Sequence, residues 1–135
     1  MVATLQLEVA QRLMAKEGED DYGVLTLLIQ LHYEPHEWFK IPASCFFPAP
    51  DVDSACVILI RRPEPLLNHG QAETFKKIVK RSYSQRRKMM FKLLKEDWPE
   101  DRLSLAFEAL DLSVKARAET VGLEGFVSLA KLLKI

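Results

Sequence analysis

The chain has 135 residues, 48% apolar and 28% charged, with nineteen basic and nineteen acidic side chains. This suits one ordinary domain, or the end of one domain plus a small second one, and excludes an intrinsically disordered chain. No apolar run reaches the eighteen or so residues of a membrane span and no basic-then-apolar leader opens the sequence. Cys45 and Cys56 lack the number for a disulfide scaffold and the paired spacing of a zinc site, so the expectation is a cytosolic protein without a membrane partner.

Leu5 to Ala15 reads as a short amphipathic helix, with Leu5, Val9 and Leu13 on one side and Leu7, Ala10 and Met14 beside them. A polar break follows at Glu17 to Asp21, with Gly18 and Gly23. Val24 to Tyr33 reads as a strand, because Leu25, Leu27, Ile29, Leu31 and Tyr33 alternate with Thr26, Gln30 and His32. Trp38 to Ile41 forms a short second strand ended by Pro42. Val52 to Ile60 is the clearest strand, and its unbroken apolar run Ala55 to Ile60 predicts cover on both faces. One helix and two or three strands cannot provide that cover. Residues 1–62 are therefore expected to be the end of an α/β domain, its exposed strands inviting self-association.

Arg62 to Gly70, with Pro63, Pro65, Asn68 and Gly70, is the expected linker, and residues 63–135 read as a helical domain. Ala72 to Arg81 predicts a helix burying Phe75, Ile78 and Val79. Ser84 is placed to N-cap a second helix, Gln85 to Glu96. Asp97 and Glu100 have capping-box spacing for a third helix ending near Leu110, with Pro99 in its first turn. Leu123, Phe126, Val127, Ala130 and Leu133 mark a last helix beginning at Gly122.

The net charge of zero conceals segregation. Arg61 to Lys95 holds eleven Lys/Arg against Glu64 and Glu73, while the rest of the chain holds eight basic and seventeen acidic residues. Such asymmetry points to a polyanion-binding face, the alternative being a lysine-rich solvated surface. Within the expected helix from Gln85, Lys88, Lys92 and Lys95 form a stripe suited to phosphates. Met89, Met90, Leu93 and Leu94 form the buried arc. Arg86 falls inside that arc and is expected to be structural, whereas Arg87 lies at its edge. Lys76, Lys77, Lys80 and Arg81 extend the positive surface. His32, His36 and His69 are scattered, and no His/Asp/Glu grouping has metal-ligand spacing.

Phe46-Phe47-Pro48-Ala49-Pro50-Asp51-Val52-Asp53-Ser54 is the most informative segment. Its alternate prolines fix φ and withhold two donors, giving a stiff loop that cannot join a ladder and that leads straight into the apolar strand. An aromatic ring so held is a stacking platform for a nucleobase, or a plug for the core beneath.

Phe46-x-Pro48-x-Pro50-x-Val52-Asp53-Ser54 resembles a late motif of the ribosomal RNA adenine N6,N6-dimethyltransferases, the KsgA-type enzymes. Gln6 to Leu13, Tyr22 to Thr26, Gln85-Arg86-Arg87-Lys88 and Arg117-Ala118-Glu119 are similar to further family segments in the same order. The resemblance implies an S-adenosylmethionine-dependent methyltransferase whose Rossmann-like domain binds the cofactor and whose small helical domain grips small-subunit rRNA. Two adjacent adenines would each be methylated twice on the exocyclic amine, with Phe46 stacked on the flipped base and Phe47 left as the core plug. Asp51 stands where the family usually has a lysine. The family's Gly-rich turn and Asn-Leu-Pro-Tyr motif do not occur in the sequence. The chain is thus expected to be roughly the C-terminal half of such an enzyme, inactive alone and without a cofactor site. The alternatives are a non-enzymatic RNA- or DNA-binding protein and a helical protein-docking module.

Overall fold

The computed structural model describes residues 1–85 and 87–134, so the expectation for Arg86 lies outside the described residues. The chain falls into two units, Met1–Glu64 and Pro65–Ile135.

In the first unit, the segment read as one helix is two elements, strand β1 (Val2–Gln6) and helix α1 (Leu7–Leu13). The change comes where the Leu7 amide leaves the ladder and donates to the Asp53 carbonyl at 2.9 Å. The stretch expected as a strand from Val24 is helix α2 (Val24–Gln30). Alternation misled here because the same residues also satisfy helical spacing: Leu27 and Leu31 are buried one turn apart, as are Thr26 and Gln30. The Gln30 amide donates to the carbonyls of Leu13 and Ala15, at 3.0 and 3.1 Å. The Thr26 hydroxyl reaches the Arg12 carbonyl. A helix leaves its last carbonyls without partners, and α2 supplies them to α1 from its buried polar face. Gln30→Leu is accordingly expected to cost about 1–3 kcal/mol in urea denaturation, because buried acceptors lose their donors. A loss under about 0.5 kcal/mol, the range of neutral surface changes, would show that the contact is dispensable.

Strands β2 (Tyr33–Ile41) and β3 (Ser54–Arg61) complete an antiparallel sheet of order β1-β3-β2. Strand β2 begins earlier than expected and accommodates Pro35 because it lies on the edge, with a register shift between Pro35 and Glu37. Strand β3 is covered on one face rather than both. Ala55 and Val57 are fully buried with Ala10 of α1, whereas Cys56 and Ile58 are half-buried and Ile60 is exposed. The register places Val2 and Phe39 on that second face. This is the unit's exposed apolar sheet surface, since residues 24–30 are not a strand.

The second unit is helical: α3 (His69–Ser82), α4 (Met90–Leu94), α5 (Glu100–Ala109) and α6 (Leu123–Leu133). The linker expected up to Gly70 ends sooner, because Asn68 caps α3. Its side chain accepts from the Gln71 amide at 2.8 Å, and the Gln71 side chain accepts from the Asn68 amide at 3.1 Å. Phe75, Ile78 and Val79 are buried as expected, on a helix that packs against α4 and α6.

The helix expected over Gln85 to Glu96 is only the five residues of α4. The Ser84 hydroxyl donates back to the Arg81 carbonyl at 2.6 Å instead of capping forward, and the Met90 amide donates to the Ala116 carbonyl at 3.0 Å. Lys88 therefore lies on a turn, and the helical stripe with Lys92 and Lys95 does not form. Nor does the Asp97 capping box, since that carboxylate is taken by Arg81 at 2.8 Å and Pro99 becomes the uncapped N-cap of α5.

Candidate nucleic-acid interface

In the first unit the stiff loop is closed at its base by Asp53. One carboxylate oxygen accepts from the Ala43 amide at 2.8 Å, the other pairs with Lys40 at 3.1 Å, and the Asp53 carbonyl receives the Leu7 amide. The Ala43 amide, and then Lys40, hold the Asp53 carboxyl below its ordinary value. Residues 46–53 lie outside helix and strand, as two prolines dictate. Phe46, whose amide donates to the Ala43 carbonyl at 3.2 Å, is 39% exposed. Phe47 does not plug the core: it is fully exposed, at 102%. The role of Asp53 as the pin of this loop was not read from the sequence, although its place in Val52-Asp53-Ser54 was quoted for the resemblance.

In the second unit the basic residues separate into two groups. Those of α3 and its surroundings are largely engaged. Lys76 pairs with Glu73 at 3.3 Å, Lys77 lies 5.1 Å over the Trp98 ring, and Lys95 lies 3.8 Å from Glu100 and 5.6 Å over Phe91. Arg81 donates to Asp97 and lies 3.0 Å from Glu96, and these carboxylates, Asp97 foremost, raise its pKa. Its charge is thus neutralised in bracing α3 against the end of α4. Lys76, Lys77 and Lys80 line a shallow groove with Glu73 and Thr74.

Arg87, Lys88 and Lys92 instead line a cleft of about 480 Å³ with Met89, Leu93, Glu96, Lys115 and Arg117. The bond from the Met90 amide to the Ala116 carbonyl brings these segments together, and the Tyr83 hydroxyl bonds the Ala118 carbonyl at 3.4 Å beside it. Among the described residues none of the five cations is in an ion pair, whereas Glu96, the cleft's acid, is already held by Arg81. Such a cleft is suited to anionic oxygens and rejects cations. Lys115 and Arg117 lie outside the basic block of the sequence, so charge counting missed them; only Arg117-Ala118-Glu119, as a motif, pointed there. No group of His, Cys, Asp and Glu among the described residues could hold a metal ion, and no described helix is long and apolar enough to cross a membrane.

The model of one family, "Ribosomal RNA adenine dimethylase", matches residues 1–134. The chain belongs to that family. It is 35% identical over 130 residues to the ribosomal RNA small subunit methyltransferase A of Protochlamydia amoebophila, covering 96% of this chain and 45% of the relative. It is 36% identical over 138 residues to the protein of the same name from Geobacillus kaustophilus, covering 98% and 47%. The chain thus spans about half the length of these curated relatives. Among solved structures, the 23S rRNA methyltransferase ErmE superposes with a TM-score of 0.67 at 27% identity, over 99% of this chain and 54% of that one. A dimethyladenosine transferase from Plasmodium falciparum superposes at 0.78 and 22% identity, over 95% and 54%, a likeness of fold. The family thus agrees with the resemblance carried by the Phe46 to Ser54 motif and its four companions.

Proposed function

We propose that this chain is the target-gripping part of an S-adenosylmethionine-dependent rRNA adenine N6,N6-dimethyltransferase that acts on two adjacent adenines of small-subunit rRNA. Its first unit would be the end of a Rossmann-like domain and its second an RNA-binding module. The observation that carries the reading is the cleft of Arg87, Lys88, Lys92, Lys115 and Arg117, which gathers cations from two segments around space open to a phosphate backbone. Phe46, half-exposed on a pinned loop, supports a role in stacking on a flipped adenine. Lys80, Lys76 and Lys77 would extend the phosphate track along α3. Arg81 and Lys95 would contribute by holding the module's shape.

S-adenosylmethionine would supply the methyl group. The Gly-rich turn and the Asn-Leu-Pro-Tyr motif that the resemblance assigns to cofactor and amine do not occur in this sequence. This supports a cofactor site outside the chain. What the chain's own residues would do is stack on a base in the first unit and hold rRNA phosphates in the second, so that the amine nitrogen is held in place for transfer.

Calorimetry on the full chain tests the reading. An rRNA hairpin with two adjacent loop adenines is expected to bind with steep salt dependence, and S-adenosylmethionine is expected to give no micromolar binding. Salt-insensitive RNA binding would favour a protein-docking module, and micromolar cofactor binding would overturn the placement of the cofactor site.

A further inference from the structure

We propose that Phe47 is a second stacking residue of the loop, taking the nucleobase next to the one that faces Phe46 in single-stranded RNA. The inference rests on the RNA reading above and adds to it a site and a ligand. Phe47 is exposed over its whole side chain and contributes no packing to the fold. It stands in an uncharged run, Cys45 to Pro50, every residue of which is exposed. Lys40, the cation at the loop's base, is already paired with Asp53, and Asp51 follows the run with a negative charge. A loop so composed offers phosphate no unpaired cation, which favours contact with base faces over backbone.

The geometry fits two bases. Phe46 and Phe47 are adjacent in the loop, and Phe46 is 39% exposed whereas Phe47 is fully exposed. One ring is thus turned partly to protein and the other to solvent. They can each receive one of two successive bases splayed apart, the arrangement in which single-stranded RNA is read. Pro48 and Pro50 stiffen the loop, so little ordering entropy opposes binding.

The test uses the full chain and a single-stranded oligoribonucleotide with two adjacent adenines, either of them replaced by the fluorescent analogue 2-aminopurine, which stacking quenches. Phe47→Ala is expected to weaken binding about fivefold or more, the lower end of the range for one stacked base. It is also expected to relieve quenching at one of the two positions only. Phe47→Trp is expected to keep both affinity and quenching, and Phe47→Leu to restore neither. Circular dichroism unchanged across the variants confirms the fold, as expected for a side chain that packs on nothing. Wild-type binding that Phe47→Ala leaves unaltered overturns the proposal while the RNA reading stands. Full recovery by Phe47→Leu overturns it in favour of an apolar protein contact. A wild-type chain that binds no RNA removes the RNA reading and this site together.

Discussion

Phe107→Ala is expected to destabilise the helical unit by about 3–5 kcal/mol, the cost of truncating a large buried aromatic residue. Phe107 is 1% exposed, and its ring meets that of Phe91 edge-on with centroids 5.1 Å apart. The substitution therefore removes a favourable aromatic pair as well as buried area. So small a unit has little stability in reserve, since whole domains hold only about 5–15 kcal/mol. Phe91 belongs to α4, the element between Lys88 and Lys95, so loosening this pair also frees one wall of the basic cleft. Leu105→Ala is the control: it lies on the same helix, is 68% exposed, and is expected to change stability by no more than about 0.5 kcal/mol. Urea denaturation followed by circular dichroism separates the two. Equal effects would show that α5 is held by something other than its Phe107 face.

What could be read in the sequence follows from how local the controlling interaction is. The 3.6-residue spacing of Phe75, Ile78 and Val79, and of Phe126, Ala130 and Leu133, is a property of the helix itself, and both helices occur where spacing places them. Residues 24–30 carried two periodicities at once. What selected the helix was the set of carbonyls at the end of α1, groups supplied by a different element. The failed cap at Asp97 has the same cause, whereas the one at Ser84 fails locally, to a carbonyl three residues earlier. Each side chain has good local spacing but a better partner in Arg81, as carbonyl and as guanidinium. The loop at Phe46 was legible because proline acts on its own backbone. Which of two adjacent phenylalanines faces solvent was not, because that depends on what lies beneath them. The cleft was half legible. Arg87, Lys88 and Lys92 lie in the basic block, whereas Lys115 and Arg117 join them through a backbone bond to Ala116 that no charge pattern encodes.

That division makes the cleft testable against the block. Paired substitution Lys115→Ala with Arg117→Ala is expected to weaken RNA binding about 25-fold at 0.1 M salt and to flatten the slope of log K against log salt by about 1.4, each cation contributing about 0.7 on a single strand. Arg87→Ala with Lys88→Ala is expected to do the same, although the two pairs are far apart in the chain. The five cleft cations together are expected to contribute about −3.5 to the slope, and removing all five should flatten it by that amount. Lys76→Ala with Lys80→Ala is expected to do less, because Lys76 already has Glu73 as its counter-ion and releases fewer ions on meeting RNA. Filter binding across a salt series reads both quantities from one titration set. If the α3 pair matters as much as the Lys115 pair, binding follows the count of basic residues along the sequence. If the Lys115 and Arg87 pairs match and the α3 pair falls short, binding follows the cleft, and Met90, whose amide closes it, is what turns two charged segments into one site.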